Sequence, residues 1–448
     1  MPRKLSFSFI LTLGFMLFAL FFGAGNLIFP AMLGQSAGTN VWAANAGFIV
    51  TGVGLPLLGI IALGMSGKSD LQSLANRVHP VFALVFTVVL YLAIGPLFAI
   101  PRTGTVAFEI GMKPFIPEAY TVLGLFVFSV VFFGITVFFS LKSSKIVDII
   151  GKFLTPLLLL LVSLLISIAI IRPIGIIQAP ADHYMTNAFF KGFQEGYLTM
   201  DALASFVFGI IVINAVKEKG VSGKKEVLLA VMKAGGIAAA LLGIIYTSLA
   251  FIGASSVGGF GLLDNGGAVL SNASNHYFGA YGRMLLSLIV TGACLTTSIG
   301  LITACSSYFA QLMPGVSYTK FVLLFSAFSA GLANFGLNEL IAISVPVLVT
   351  IYPLAILLIV LTFVHPVFNG KKEVYQGSMA LSFVVAVFDG LGAAGITVPA
   401  VDELFTSILP LYEVGLGWMV PAIVGGIGGS LFSLIRTKGI RPSYDSVG

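Results

Sequence analysis

Charge is what this sequence has least of. Only 9% of its 448 residues are Asp, Glu, Lys or Arg, against about 25% in soluble domains. No stretch is polar enough to form a separate water-soluble unit, which excludes a receptor or enzyme with an extramembrane domain. Cysteine is nearly absent. Cys294 and Cys305 fall in one apolar segment, where eleven residues of helix set them about 16 Å apart, too far to pair with each other. Four scattered histidines, His79, His183, His276 and His365, offer no metal-ligand spacing. An HExxH helix, a GxSxG elbow and an arranged Cys/His pair are also missing, so nothing supports an intramembrane enzyme.

What the chain has instead is apolar length. It is 58% hydrophobic with a mean hydropathy of +1.06, which defines an all-α integral membrane protein with room for a dozen spans of about 20 residues in a lipid bilayer. Apolar windows fall near 7–33, 40–65, 81–106, 119–140, 147–171, 192–216, 227–252, 281–311, 318–335, 339–364, 376–396 and 416–435, predicting twelve helices. The first follows Arg3 and Lys4 as a signal peptide would, but its apolar run exceeds the roughly 7–15 residues of such a segment, so it is expected to be retained. The net charge of +6 marks topology here, and no nucleic-acid partner is implied. Sixteen basic residues assign to one side (Arg3, Lys4, Lys68, Arg77, Lys142, Lys145, Lys217, Lys219, Lys224, Lys225, Lys320, Lys371, Lys372, Arg436, Lys438, Arg441) and five to the other (Arg102, Lys113, Arg172, Lys191, Arg283). That asymmetry predicts both termini in the cytoplasm and an even number of spans. Residues 253–281 form the longest external connection, either a solvated linker or a folded lid over a central cavity.

The first span contains the signal around which the rest is organised. Gly23–Pro30, GAGNLIFP, places two glycines, an Asn and a Pro where lipid cannot satisfy freed backbone groups. One reading is a glycine-eased helix crossing with a proline kink. The other is an unwound segment whose carbonyls and half-helix ends hold an ion and a charged substrate near the midplane. A second interrupted span lies half a chain away, GFQEGYLTMDALASFVFG, with Gly192, Gly196 and Gly209. Its Asp201 lies about nine residues in, roughly 13 Å deep in a 30 Å core. An ionisable group there marks a functional site, or an Asp that caps a helix half. If spans 1–5 and 6–10 are two copies, each opens with an interrupted helix, and five being odd, the copies are inverted. The repeats would cover residues 7–171 and 192–364, with helices 11 and 12 (376–435) outside them. The eighth span adds Ala293, Thr296, Thr297 and Ser298, whose oxygens either bond back to their own helix or suit a hard monovalent cation; no calcium-type carboxylate cage is present.

With FFGAGNLIFP (Phe21–Pro30), PRTGTVAFEIG (Pro101–Gly111) and GYLTMDALASFVFG (Gly196–Gly209), the chain resembles the bacterial branched-chain amino-acid:cation symporter family over nearly its whole length. The resemblance implies uptake of leucine, isoleucine and valine driven by sodium, or in some members by protons. It also implies the inverted five-plus-five fold shared with sodium-coupled neurotransmitter transporter relatives. Against those relatives, Ala293, Thr296 and Thr297 match a sodium-binding Ala-x-x-Thr-Ser pattern, completed by the carbonyls of Ala19 and Phe22. The same comparison puts the amino-acid backbone against Gly23, Ala24, Gly25, Asn26 and the unwound stretch at Met200 and Asp201, with Met200, Phe206 and Leu301 walling the side chain. The relatives have Thr where Asp201 stands and one more residue between the Asn and the Pro, which leaves a second sodium site near Asn26 open. The expectation is a cytoplasmic-membrane symporter with Na+ as coupling ion, no organic cofactor, and apolar pocket walls without a counter-charge. A proton-coupled carrier using Asp201 is the runner-up, and a channel is the alternative outside carriers. Oligomeric state has no signature in the sequence.

Overall fold

The computed structural model describes residues 5–68, 70–141, 155–221 and 223–439. Arg3, Lys4, Lys142, Lys145, Lys152 and Arg441, and the start of the fifth expected span, lie outside the described residues. Among those described, every element is helical. In order they are α1 (Phe7–Phe21), α2 (Ala24–Ala37), α3 (Val41–Ile49), α4 (Leu55–Ser66), α5 (Pro80–Leu92), α6 (Ala99–Gly111), α7 (Thr121–Ser140) and α8 (Thr155–Ile171). Then follow α9 (Ala188–Glu195), α10 (Asp201–Glu218), α11 (Lys224–Phe260), α12 (Gly266–Leu312), α13 (Tyr318–Ala333), α14 (Leu337–Phe363), α15 (Lys372–Ala393), α16 (Pro399–Ile408) and α17 (Met419–Gly439), with a few single turns between. Seven segments are long and apolar enough to cross a bilayer, or eight if the pair ending in α10, bent by 46°, counts as one.

Apolar side chains fill the core and cover the outside as well. Val122 and Phe126 of α7, Leu160 and Leu164 of α8, and Ile423 and Phe432 of α17 are exposed, and so many bare apolar side chains are stable only against lipid. The inner positions belong to α1–α2 and α10. From Met16 to Pro30, and from Tyr197 to Gly209 apart from the half-buried Leu198, these segments are buried. Close helix crossings hold them there. A Cβ on Gly34 of α2 would overlap the Ala250 carbonyl of α11, and one on Gly253 of α11 would overlap the Ala31 carbonyl of α2, so both backbones meet through small residues.

The interruptions have specific geometry. α1 ends at Phe21, Phe22 has ψ 77°, and α2 restarts at Ala24 from an extended Gly23. Pro30 sits inside α2 without ending it. In the second segment Met200 takes a left-handed conformation, φ 65° and ψ 8°, costly for a bulky side chain. A third interruption had no reading in the sequence: a π turn at Ala93–Leu97 holds Gly95 out of helical geometry, and α6 restarts at Ala99. Arg102 therefore is not a loop charge. It is a buried residue one turn into α6, and removing it leaves four basic residues in the outer set. The 253–281 connection is folded, with α11 running to Phe260 and α12 beginning at Gly266, then bending at Gly279 (φ 56°). Its descending turn is fastened to α2, where Gln35 donates to the Leu263 carbonyl at 2.8 Å and accepts from the Leu263 N–H at 3.0 Å.

Candidate functional site

The three interruptions converge. Gly23, Ala24, Gly25 and Asn26, Ile94 and Ala99, and Thr199, Met200 and Asp201 line one central cavity, together with Arg102, Phe208, Thr297 and Leu301. The space between them is tight, about 20 Å³ for the centre of a water molecule. Each restart points the first turn of a helix inward, where N–H groups lack intrahelical partners and the helix dipole is positive. At α2 and α6 no N-cap side chain takes those donors.

Asp201 is the polar centre of the site. Asn26 Nδ2 donates to its Oδ2 at 2.5 Å and the Tyr246 hydroxyl donates to the same oxygen at 2.9 Å, while Asn26 also meets the Tyr246 hydroxyl. The group thus ties α2, α10 and α11 together at one carboxyl oxygen. Asn26 Oδ1 reaches back to the Gly23 N–H at 3.4 Å, bracing the restart of α2.

A second cluster of oxygens sits where α12 crosses the end of α1. The Thr296 hydroxyl lies 2.8 Å from the Ala293 carbonyl and 3.1 Å from that of Ala19. The Thr297 hydroxyl lies 2.9 Å from the Leu20 carbonyl and 3.4 Å from that of Ala19. These five oxygens are all neutral and buried, a donor set that fits a monovalent cation better than a divalent one. Gly23 makes the approach feasible, since a Cβ there would stand 2.7 Å from Thr297 Oγ1.

Of the residues singled out from the sequence, Gly23, Ala24, Gly25, Asn26, Met200, Asp201, Leu301 and Thr297 line the cavity, and Ala19, Ala293 and Thr296 join Thr297 in the oxygen cluster. Phe206 is fully buried but away from the cavity, and Phe208 forms that wall instead. Phe22 stacks its ring on Phe18 at 5.0 Å; the carbonyl that meets Thr297 beside Ala19 is that of Leu20. The expected walls without counter-charge are corrected outright, because Asp201 and Arg102 both face the cavity. Arg102 was legible as a charge inside the apolar window 81–106, although it was counted with the loop charges. Tyr246 had no such signal.

The fold is shared with solved membrane transporters. The chain aligns with Mhp1, a nucleobase-cation-symport-1 family transporter solved in a closed conformation with bromovinylhydantoin bound, at a TM-score of 0.62 and 14% identity, covering 96% of this chain and 93% of that one. It aligns with MhsT in complex with L-phenylalanine at a TM-score of 0.58 and 16% identity, covering 97% and 99%. In sequence, residues 7–436 match the family described as branched-chain amino acid transport protein. The chain is 59% identical over 438 residues to the branched-chain amino acid permease BrnQ of Bacillus subtilis (strain 168), covering 98% of this chain and 100% of that one. It belongs to the branched-chain amino acid transport protein family, a family of carriers and not of enzymes.

Proposed function

We propose that the protein imports leucine, isoleucine and valine across the cytoplasmic membrane by symport with sodium. The observation that carries the coupling is the five-oxygen cluster of Ala19, Leu20, Ala293, Thr296 and Thr297 directly beside the central cavity. Thr297 belongs to both, so an ion there and a substrate next to it would stabilise each other, a reciprocal coupling. Phe22 remains a candidate for a further carbonyl, at the non-helical step after α1. Met200, Phe208 and Leu301 supply an apolar wall for a branched side chain. In this reading the seven long spans, the bent pair and the four shorter apolar helices 7–21, 155–171, 318–333 and 419–435 make twelve crossings. Residues 7–171 and 192–364 form inverted repeats with interrupted first helices, 376–435 stands outside them, and the basic residues put both termini in the cytoplasm.

The burial of Asp201 among hydrogen-bond donors favours one competing reading, proton coupling through that carboxyl. Uptake of labelled leucine into proteoliposomes, with sodium and proton gradients imposed separately, decides between them. A sodium gradient alone should drive accumulation above equilibrium. Accumulation driven by a proton gradient without sodium would transfer the coupling role to Asp201.

A further inference from the structure

Arg102 is placed where its charge is most costly. It is 4% exposed in the middle of a membrane protein, and its Nε and Nη1 have no hydrogen-bond partner among the described residues. It makes no ion pair within 4 Å with Asp201, whose Oδ2 is occupied by Asn26 and Tyr246. Its guanidinium lies 5.2 Å from the centre of the Phe29 ring and so close to α2 that a Cβ on Gly25 would stand 2.8 Å from Nη2. That neighbour has the wrong sign. The first turn of α2 is the positive end of a helix dipole whose N-cap, Gly23, has no side chain to offer, and a cation against it is destabilising. Two positive fields converge on one side of a cavity that Asp201 also lines, a setting that suits the anionic end of a dipolar ligand.

Resting on the transport reading above, we propose that Arg102 and the first turn of α2 clasp the carboxylate of the transported amino acid, while Asp201 receives its ammonium group. The hydrogen bonds from Asn26 and Tyr246 both fall on Oδ2, with Thr199 as a further side-chain partner of the carboxyl, so the ammonium would approach from the Oδ1 side. The substrate then lies between a guanidinium and a carboxylate, its alkyl group towards Met200, Phe208 and Leu301. Arg102 is thus a specificity determinant: it selects molecules carrying both charges of an α-amino acid and rejects an amine of the same shape.

The test is competition against labelled leucine in proteoliposomes of the full chain, comparing leucine with leucinamide, which keeps the ammonium and neutralises the carboxylate. In the parent protein leucinamide should be at least about 100-fold weaker than leucine, as for sites built around a buried polar partner. In Arg102→Gln leucine should weaken by about 100-fold while leucinamide changes little, so that the ratio collapses to within about fivefold. An unchanged ratio in that variant overturns the assignment. Should Arg102→Gln not fold, Arg102→Lys decides, since a point charge cannot reproduce the planar fork. It should weaken leucine about tenfold or more with leucinamide unaffected, and equal effects on both overturn the proposal. Replacing chloride by gluconate separates the two sources of negative charge: unchanged leucine affinity supports the carboxylate, whereas a loss assigns Arg102 to a free halide. If the parent protein takes up no leucine at all, the transport reading fails and the role of Arg102 falls with it, whereas uptake with an unchanged leucine-to-leucinamide ratio in the variant overturns the role of Arg102 alone.

Discussion

At the scale of residues, Thr297 gives the sharpest test, because its hydroxyl borders the oxygen cluster and the cavity together. Thr297→Val keeps the shape and removes the oxygen, which for a hydrogen bond to a charged group is a loss of about 1.5–3 kcal/mol. The sodium concentration for half-maximal uptake should therefore rise by about tenfold or more, with recovery at high sodium, while Thr297→Ser stays near the parent. Equal sodium curves for the Val and Ser variants would make the threonine a structural, back-bonded residue. The polar residues of the site were legible because each stands out against an apolar background: the Gly-x-Gly-Asn of Gly23–Asn26, Asp201, and the Thr296–Thr297 pair all interrupt runs that need no interruption. Arg102 lies within the apolar window 81–106 and was still counted as a loop charge, because a charge near the end of a window carries no mark of its depth. A charge four residues into a new helix and a charge in a loop look alike along the chain.

Among elements, α2 and α11 pack closely, and the glycines of the pair divide into those that touch a neighbour and those that do not. Gly34→Val would drive a side chain into the Ala250 carbonyl, an overpacking worth about 1–3 kcal/mol, and should lower the thermal unfolding midpoint of the purified protein. Gly236, on the α11 helix that α2 contacts, has nothing within 4 Å of where a Cβ would stand. Gly236→Ala should leave the midpoint unchanged or raise it, since helix propensity improves; a fall as large as that of Gly34→Val would remove the distinction. Long apolar helices were legible from hydropathy alone, as were the interruptions at Gly23 and near Met200. The break at Gly95 was passed over although Gly95-Pro96 is a helix-breaking pair, and contact with Cys305, whose Sγ would stand 2.8 Å from a Cβ on Gly95, shows why a glycine is there. The helix from Gly266 onward was one of two readings left open for 253–281: its Gly, Ser and Asn content reads as loop, while its packing on α2, with Gly266 against the Ile28 carbonyl, holds it as helix.

For the whole molecule, the charges of the central site determine how the membrane potential acts. In the proposed site Arg102 and Asp201 cancel and the amino acid has no net charge, so a bound sodium ion is left uncompensated. Each leucine should then carry one positive charge inward. At about 2.3 kcal/mol per charge per 100 mV, an interior-negative potential of 100 mV should add about 50-fold to the leucine gradient. A potassium diffusion potential set with valinomycin measures this directly, and uptake indifferent to it would mean that another charge moves in return. One further consequence follows from α2 beginning at the cavity and ending beneath the outer cover. Gln35, bonded both ways to Leu263, lies twelve residues beyond Gly23, about 18 Å along a rigid rod pivoted at the non-helical step between α1 and α2. A tilt of about 10° would swing its far end by about 3 Å, more than either hydrogen bond can stretch. In the proposed transport cycle such a rod would act as a lever, turning a small adjustment of the backbone around a substrate into the fastening or release of the turn at Leu263, by rotation alone.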